Sequence, residues 1–102
     1  MTSQSELEWL CRWYAAQCDD EWEHEYGIKI QTLDNPGWRL TVALVGTKLE
    51  TAPLQETKHN YDDDTSWWIC WKKGTTFEAA GGPHELPSMI DFFRRWVTEN
   101  GE

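Results

Sequence analysis

The chain has 102 residues, 9 of them basic and 18 acidic, for a formal net charge of −9. Its length is that of one domain, about 100–150 residues, so a single domain over 1–102 is expected, large enough to hold together without a metal or a disulfide. A hydrophobic content of 39% argues against disorder, and no apolar run reaches the ~20 residues that span a bilayer. The N-terminal Met1–Glu6 has neither the basic region nor the apolar core of a secretory signal. Net acidity argues against nucleic acid or an anionic membrane as partner and favours a basic one.

Three cysteines, Cys11, Cys18 and Cys70, are an odd, small set. They predict free thiols in a reducing, cytoplasmic setting rather than a disulfide framework. Cys11 reads as a small buried hydrophobe.

The first element reads as a helix. Ser5-Glu6-Leu7-Glu8 has capping-box spacing. Leu7, Leu10, Cys11, Tyr14 and Cys18 then recur at helical spacing as one apolar stripe, widened by Trp9 and Trp13. Asp19-Asp20 ends it. Trp22, His24, Tyr26, Ile28, Ile30 and Thr32 alternate with Glu21, Glu23, Glu25, Lys29 and Gln31, which predicts a half-buried antiparallel strand. Asn35-Pro36-Gly37-Trp38 has the residues of a type II turn, and Trp38, Leu40, Val42 and Leu44 make the returning strand. Residues 46–65 carry turn signals at Gly46 and Pro53, a polar strand between Leu54 and Tyr61, and a charged loop at Asp62–Asp64. Strands over Trp67–Lys72 and Thr75–Ala80 follow. Leu86, Met89, Ile90, Phe93, Trp96 and Val97 form an amphipathic helical stripe that stops at Asn100-Gly101. The order helix, about five strands, helix predicts an α+β fold. It would have two layers, an antiparallel sheet with the N-terminal and C-terminal helices packed on one face.

Where could chemistry sit? On a strand, Glu21, Glu23 and Glu25 would project together opposite Trp22, and a cationic partner would relieve their repulsion. The same run is also what a solvated strand face looks like. Asp62, Asp63 and Asp64 offer a second acidic patch, without the central glycine and alternating ligands of a calcium loop. His24, His59 and His84 have no metal-ligand spacing, and His24 reads as a core or semi-buried histidine. No catalytic motif occurs, and no cofactor is implied. Gly81-Gly82-Pro83 reads as a structural turn, lacking the Lys-Ser/Thr ending of a phosphate loop. The eight tryptophans are mostly core, since each buries about 150–250 Å². Trp67 and Trp68, adjacent on a strand, must face opposite ways, and one of them leaves the helix-covered face. An exposed Trp beside carboxylates, such as Trp22 or Trp68, would anchor a protein partner.

Leu7-Glu8-Trp9-Leu10, Trp13-Tyr14, Gln17-Cys18, Trp22-Glu23-His24, Tyr26-Gly27-Ile28, Ile30 and Thr32-Leu33-Asp34-Asn35-Pro36-Gly37-Trp38 resemble the immunity protein 53 family of bacterial polymorphic toxin systems. Phe77-Glu78-Ala79-Ala80-Gly81-Gly82-Pro83 adds a weaker match. The resemblance implies a non-enzymatic protein that binds and neutralises a cognate toxin domain in the cytoplasm of the producing cell. Many such toxins are basic nucleases, whose substrate charge an acidic inhibitor would mimic. Glu21, Trp22, Glu23, Glu25, Asp62, Asp63, Asp64 and Trp68 are the toxin-binding residues expected. The alternative is a small-ligand or carbohydrate-binding module that stacks its ligand on an exposed Trp. Oligomeric state is left open by the sequence, because surplus aromatic surface could also serve a homodimer.

Overall fold

The computed structural model describes residues 5–63 and 65–101. Helix α1 (Glu6–Gln17) and helix α2 (Trp22–Glu25) precede strands β1 (Ile28–Leu33), β2 (Gly37–Ala43), β3 (Thr57–His59), β4 (Trp68–Lys73) and β5 (Thr76–Gly81). Helix α3 (Leu86–Glu99) closes the chain. The strands form one antiparallel sheet in the order β1-β2-β5-β4-β3. The expected α+β architecture is therefore present, with five strands and a helix at each end. Neighbours in the sheet do not simply follow the chain. β2 pairs with β5, which leaves β1 and β3 at the edges.

Register fixes the faces, because residues directly opposite share a side. Leu40 lies opposite Ala79 and Val42 opposite Phe77, with Cys70 opposite Ala79 on the next strand. All five are fully buried. Over this face lies α3, through Met89, Ile90, Phe93, Trp96 and Val97. Pro87 in its first turn gives up an amide that has no helical partner anyway. At the other end the Asn100 side-chain amide donates to the Trp96 carbonyl at 2.8 Å. The opposite face carries Arg39, Thr41, Trp71 and Glu78, and none of the helices of the described residues lies over it.

In α1 the capping box forms as read. The Glu8 amide donates to Ser5 Oγ at 3.1 Å, and the Ser5 amide donates to Glu8 Oε1 at 3.0 Å. The helix is rotated from the expected phase, however. Its buried residues are Leu10 and Trp13, which pack towards α3, whereas Leu7, Cys11 and Tyr14 are exposed. The rings explain this. Trp9 and Trp13 both meet Phe93 edge-on, at centroid distances of 5.8 and 5.1 Å, and two tryptophans bury more apolar area than the smaller stripe beside them. Cys11 is thus a surface thiol, contrary to the expectation of burial. Cys70 is the buried one, and burial pushes its thiol pKa up to about 12.

The strand expected from Trp22 starts later, at Ile28. Residues 22–25 are a turn of helix instead, because nearby side chains take their amides. Asp19 Oδ1 accepts from the amides of Glu21 (3.0 Å) and Trp22 (2.8 Å). The Glu23 carboxylate accepts from the amides of Asp19 and Asp20, both at 2.9 Å. Local bonds of this kind compete directly with a strand ladder.

Two close approaches explain glycines in the motifs. A Cβ on Gly37 would strike the Gly81 carbonyl oxygen across the β2–β5 pair, and one on Gly82 would strike the Thr65 carbonyl. Gly82 therefore lets the β3–β4 loop close against the end of β5, which a generic turn would not require.

Candidate functional site

The expected site residues divide between two corners of the molecule. β1 and β3 are opposite edges of the sheet, and α2 precedes β1 at the end where Ala43 pairs with Thr76. The Asp62–Asp63 loop follows β3 at the other end, where Trp68 pairs with Gly81. Glu21, Glu23 and Glu25 therefore do not join Asp62 and Asp63 in one patch. Asp64 lies outside the described residues.

Within each corner some carboxylates are already engaged. Glu23 holds the Asp19 and Asp20 amides, and its own amide and theirs keep its pKa below the usual carboxylate value. Asp19 is lowered by the Trp22 and Glu21 amides. Asp63 Oδ2 accepts from the Thr65 amide (2.9 Å) and the Ser66 amide (2.6 Å), which lower it in turn. These three carboxylates fold their own loops. Glu21, Glu25 and Asp62 are exposed, and their carboxylates accept no hydrogen bond among the described residues. Because Glu21 and Glu25 flank a helical turn, they do not form the expected row of three on one strand face.

Neither tryptophan named for the site has a free ring. Trp22 is buried between Trp13, Tyr14 and Tyr26, and its indole N–H donates to the Val45 carbonyl at 2.8 Å. Trp68 is the member of its pair on the helix-covered face, with His59 stacked on it at 5.2 Å and Phe92 at 5.5 Å. Trp67 points the other way, is half-buried, and meets Tyr61 edge-on at 5.8 Å. Trp71 on the open face has the Arg39 guanidinium over its ring at 5.1 Å.

The exposed large apolar side chains are Leu7 (56%), Tyr14 (37%), Tyr26 (39%), Ile30 (38%) and Tyr61 (52%). All but Tyr61 line one groove of about 370 Å³ between α1 and β1, floored by Leu10 and Ile28. The sequence did contain this signal. Leu7, Cys11 and Tyr14 are the helical stripe read as core, and Ile28 and Ile30 are the apolar parity of the strand. The two apolar rows face each other, and among the described residues no element covers them. α2 closes one end of the groove, since Trp22 packs on Tyr14 and Tyr26.

A family profile described as Immunity protein 53 matches residues 7–98. The chain belongs to this family. No curated protein and no solved structure shows a significant match to it. The family match spans α1, the whole sheet and nearly all of α3, so both walls of the groove and the α2 carboxylates belong to the matched region. His24, His59 and His84 are exposed on separate segments, contrary to the core reading of His24. Among the described residues, no group of three or more His, Cys, Asp or Glu side chains could hold a metal ion. No helix of the described residues is long and apolar enough to cross a membrane.

The open face carries a buried acid with a different role. Glu78 accepts from Arg39 Nη2 at 2.7 Å, from Thr41 Oγ1 at 3.2 Å and from Thr76 Oγ1 at 2.8 Å. Burial, the largest single influence, pushes its pKa up. Arg39, Thr76 and Thr41 together outweigh it and hold the group below the ordinary value. Glu78, Asp19, Glu23 and Asp63 are all depressed, so each contributes stability that is fully present above its ordinary pKa. That stability is lost as pH falls through the lowered values. Urea midpoints should therefore fall between about pH 6 and about pH 3, and Glu78→Gln should show a shallower fall than the parent. Identical pH profiles would remove Glu78 from this role.

Proposed function

We propose that the chain binds a cognate polymorphic toxin domain in the cytoplasm of the producing cell and blocks it by occupying its surface, without catalysis. Membership of the immunity protein 53 family over residues 7–98 is the observation that carries this reading. The net charge of −9 supports a basic toxin, such as a nuclease. Of the acidic residues, Glu21 and Glu25 are proposed to attract it, because they are exposed, unengaged and next to the apolar groove. Asp62 is a weaker contributor, standing at the far corner. The apolar contact is proposed for Leu7, Tyr14, Tyr26 and Ile30 rather than for Trp22 or Trp68, whose rings are packed inside.

Calorimetry of the chain with the toxin domain encoded beside its gene, at two salt concentrations, tests this. Binding should be tight and should weaken as salt rises. Glu21→Gln with Glu25→Gln should slow association at low salt by about tenfold, whereas Asp62→Asn should change it little. Absence of binding would overturn the reading for that toxin. Binding with unchanged association in the double variant would keep the role and remove α2 as the steering patch.

A further inference from the structure

We propose that the toxin is captured by strand addition: an extended segment of it pairs with the free edge of β1 and lays its apolar side chains into the groove between α1 and β1. This rests on the toxin-binding reading above and states how the partner is held.

The backbone supplies the first argument. The Ala43 amide donates to the Gly27 carbonyl at 3.0 Å, directly opposite it in the β1–β2 register. Antiparallel pairs alternate between bonded and non-bonded positions, so Lys29, Gln31 and Leu33 bond inward to β2. The N–H and C=O groups of Ile28, Ile30 and Thr32 then point away from the sheet. The Leu44 amide donating to Thr75 O at 2.8 Å places the even-numbered positions of β2 against β5, as this alternation requires. Residues Lys29–Thr32 are exposed, and no described residue screens that edge.

The two edges of the sheet are not treated alike. β3 is three residues long and carries Lys58, a short and charged edge of the kind that resists pairing. β1 is six residues long, and its outward positions include two isoleucines. A strand paired to β1 would place every second side chain over the groove, against Leu7, Tyr14, Tyr26 and Ile30.

Charge selects the occupant. α2 stands at one end of the groove with Glu21 and Glu25 unengaged, and the whole chain carries −9. A second copy would bring the same carboxylates and the same net charge to the edge. An extended segment with apolar side chains on one face and Lys or Arg at the end overlying α2 complements it. Lys29 lies on the opposite face of β1 and does not enter the groove.

Hydrogen exchange on the intact chain, free and with an inactivated form of the toxin domain encoded beside its gene, reads this directly. The amides of Ile28, Ile30 and Thr32 should exchange fast when free and slow by about 100-fold or more in the complex. Thr32→Pro removes an outward amide without breaking a bond to β2. It should weaken binding by about tenfold, and Thr32→Ala by less than about threefold. A complex in which those three amides exchange as in the free chain would overturn strand addition and leave the toxin-binding reading standing. Protection without toxin, in a dimer, would give the edge to a second copy and overturn the proposed occupant. No complex at all would overturn both readings for that toxin.

Discussion

Replacing Phe93 by alanine is expected to lower the free energy of unfolding by about 3–5 kcal/mol. Phe93 is fully buried on α3 and is where three elements meet. Trp9 and Trp13 of α1 approach its ring at 5.8 and 5.1 Å, Phe77 of the central strand β5 at 4.8 Å, and Trp96 at 6.2 Å. α1 packs mainly on α3, so much of its attachment runs through this ring, with Trp22 as the second anchor. A cavity bordered by four rigid aromatic rings cannot collapse easily, which puts the cost at the high end of the range. Domains of this size are stable by about 5–15 kcal/mol, so the loss is a large fraction of what holds the fold. Urea denaturation followed by circular dichroism should show a lower midpoint with an unchanged slope. Phe93→Leu should lose less, about 1–1.5 kcal/mol. A loss below about 1 kcal/mol for the alanine variant would show that α1 is held elsewhere. The consequence reaches the proposed binding groove, because α1 supplies one of its walls.

The elements that were legible from sequence are those whose signal is local and one-sided. The Ser5–Glu8 cap and the α3 stripe each depend on residues a few positions apart, and each is found where expected. The hairpin turn forms too, but one residue earlier, over Asp34–Pro36: Gly37 already pairs with Leu33 as the first residue of β2 and lacks the positive φ of a type II turn, because its place is fixed by the close approach to Gly81. What was not legible depends on choices between competing local structures. In α1 two apolar rows lay side by side, and only the position of Phe93 decides which one turns inward. At Trp22–Glu25 the period-two pattern was real, but Asp19 and Glu23 capture the amides and a helical turn results. The pairing of β2 with β5 is a long-range choice that no local pattern encodes. The same competition displaced the candidate site. The carboxylates Glu23 and Asp63 look available in sequence and are engaged in structure, while the Leu7-Cys11-Tyr14 row looks like core and is surface. A stripe read as core but left uncovered by the described residues is what the proposed binding groove is built from, and it faces the apolar parity of an edge strand.

Replacing Lys72 by methionine is expected to cost about 2–4 kcal/mol, more than the loss of a surface charge can explain. Residues 46–65 gave the least readable stretch of the sequence, and the structure shows why. Most of the segment makes no ladder, and several carbonyls in it and just before it accept from side chains elsewhere in the fold. Lys72 Nζ donates to Leu49 O at 3.1 Å, Glu50 O at 2.8 Å and Ala52 O at 2.6 Å. The Trp96 indole donates to Pro53 O at 3.0 Å and the Trp22 indole to Val45 O at 2.8 Å. Part of the tryptophan surplus thus has a polar purpose: the rings fill the core while their N–H groups tie down loop carbonyls. Methionine keeps the stem of Lys72 and removes the ammonium, leaving the Glu50 and Ala52 carbonyls without a donor and the Leu49 carbonyl with only the Ala52 amide. Charge-assisted bonds of this kind contribute about 1.5–3 kcal/mol each, and water can replace part of that because Lys72 is only half-buried. Arginine should not rescue, since a planar fork cannot converge on three carbonyls of one turn as an ammonium does. Along with a lower urea midpoint, the amides of Thr47, Glu50 and Ala52 should exchange faster, as they bond within the same turn. A methionine variant with the parent midpoint and unchanged exchange at those amides would mean that the leucines alone, Leu44 and Leu49, organise the segment.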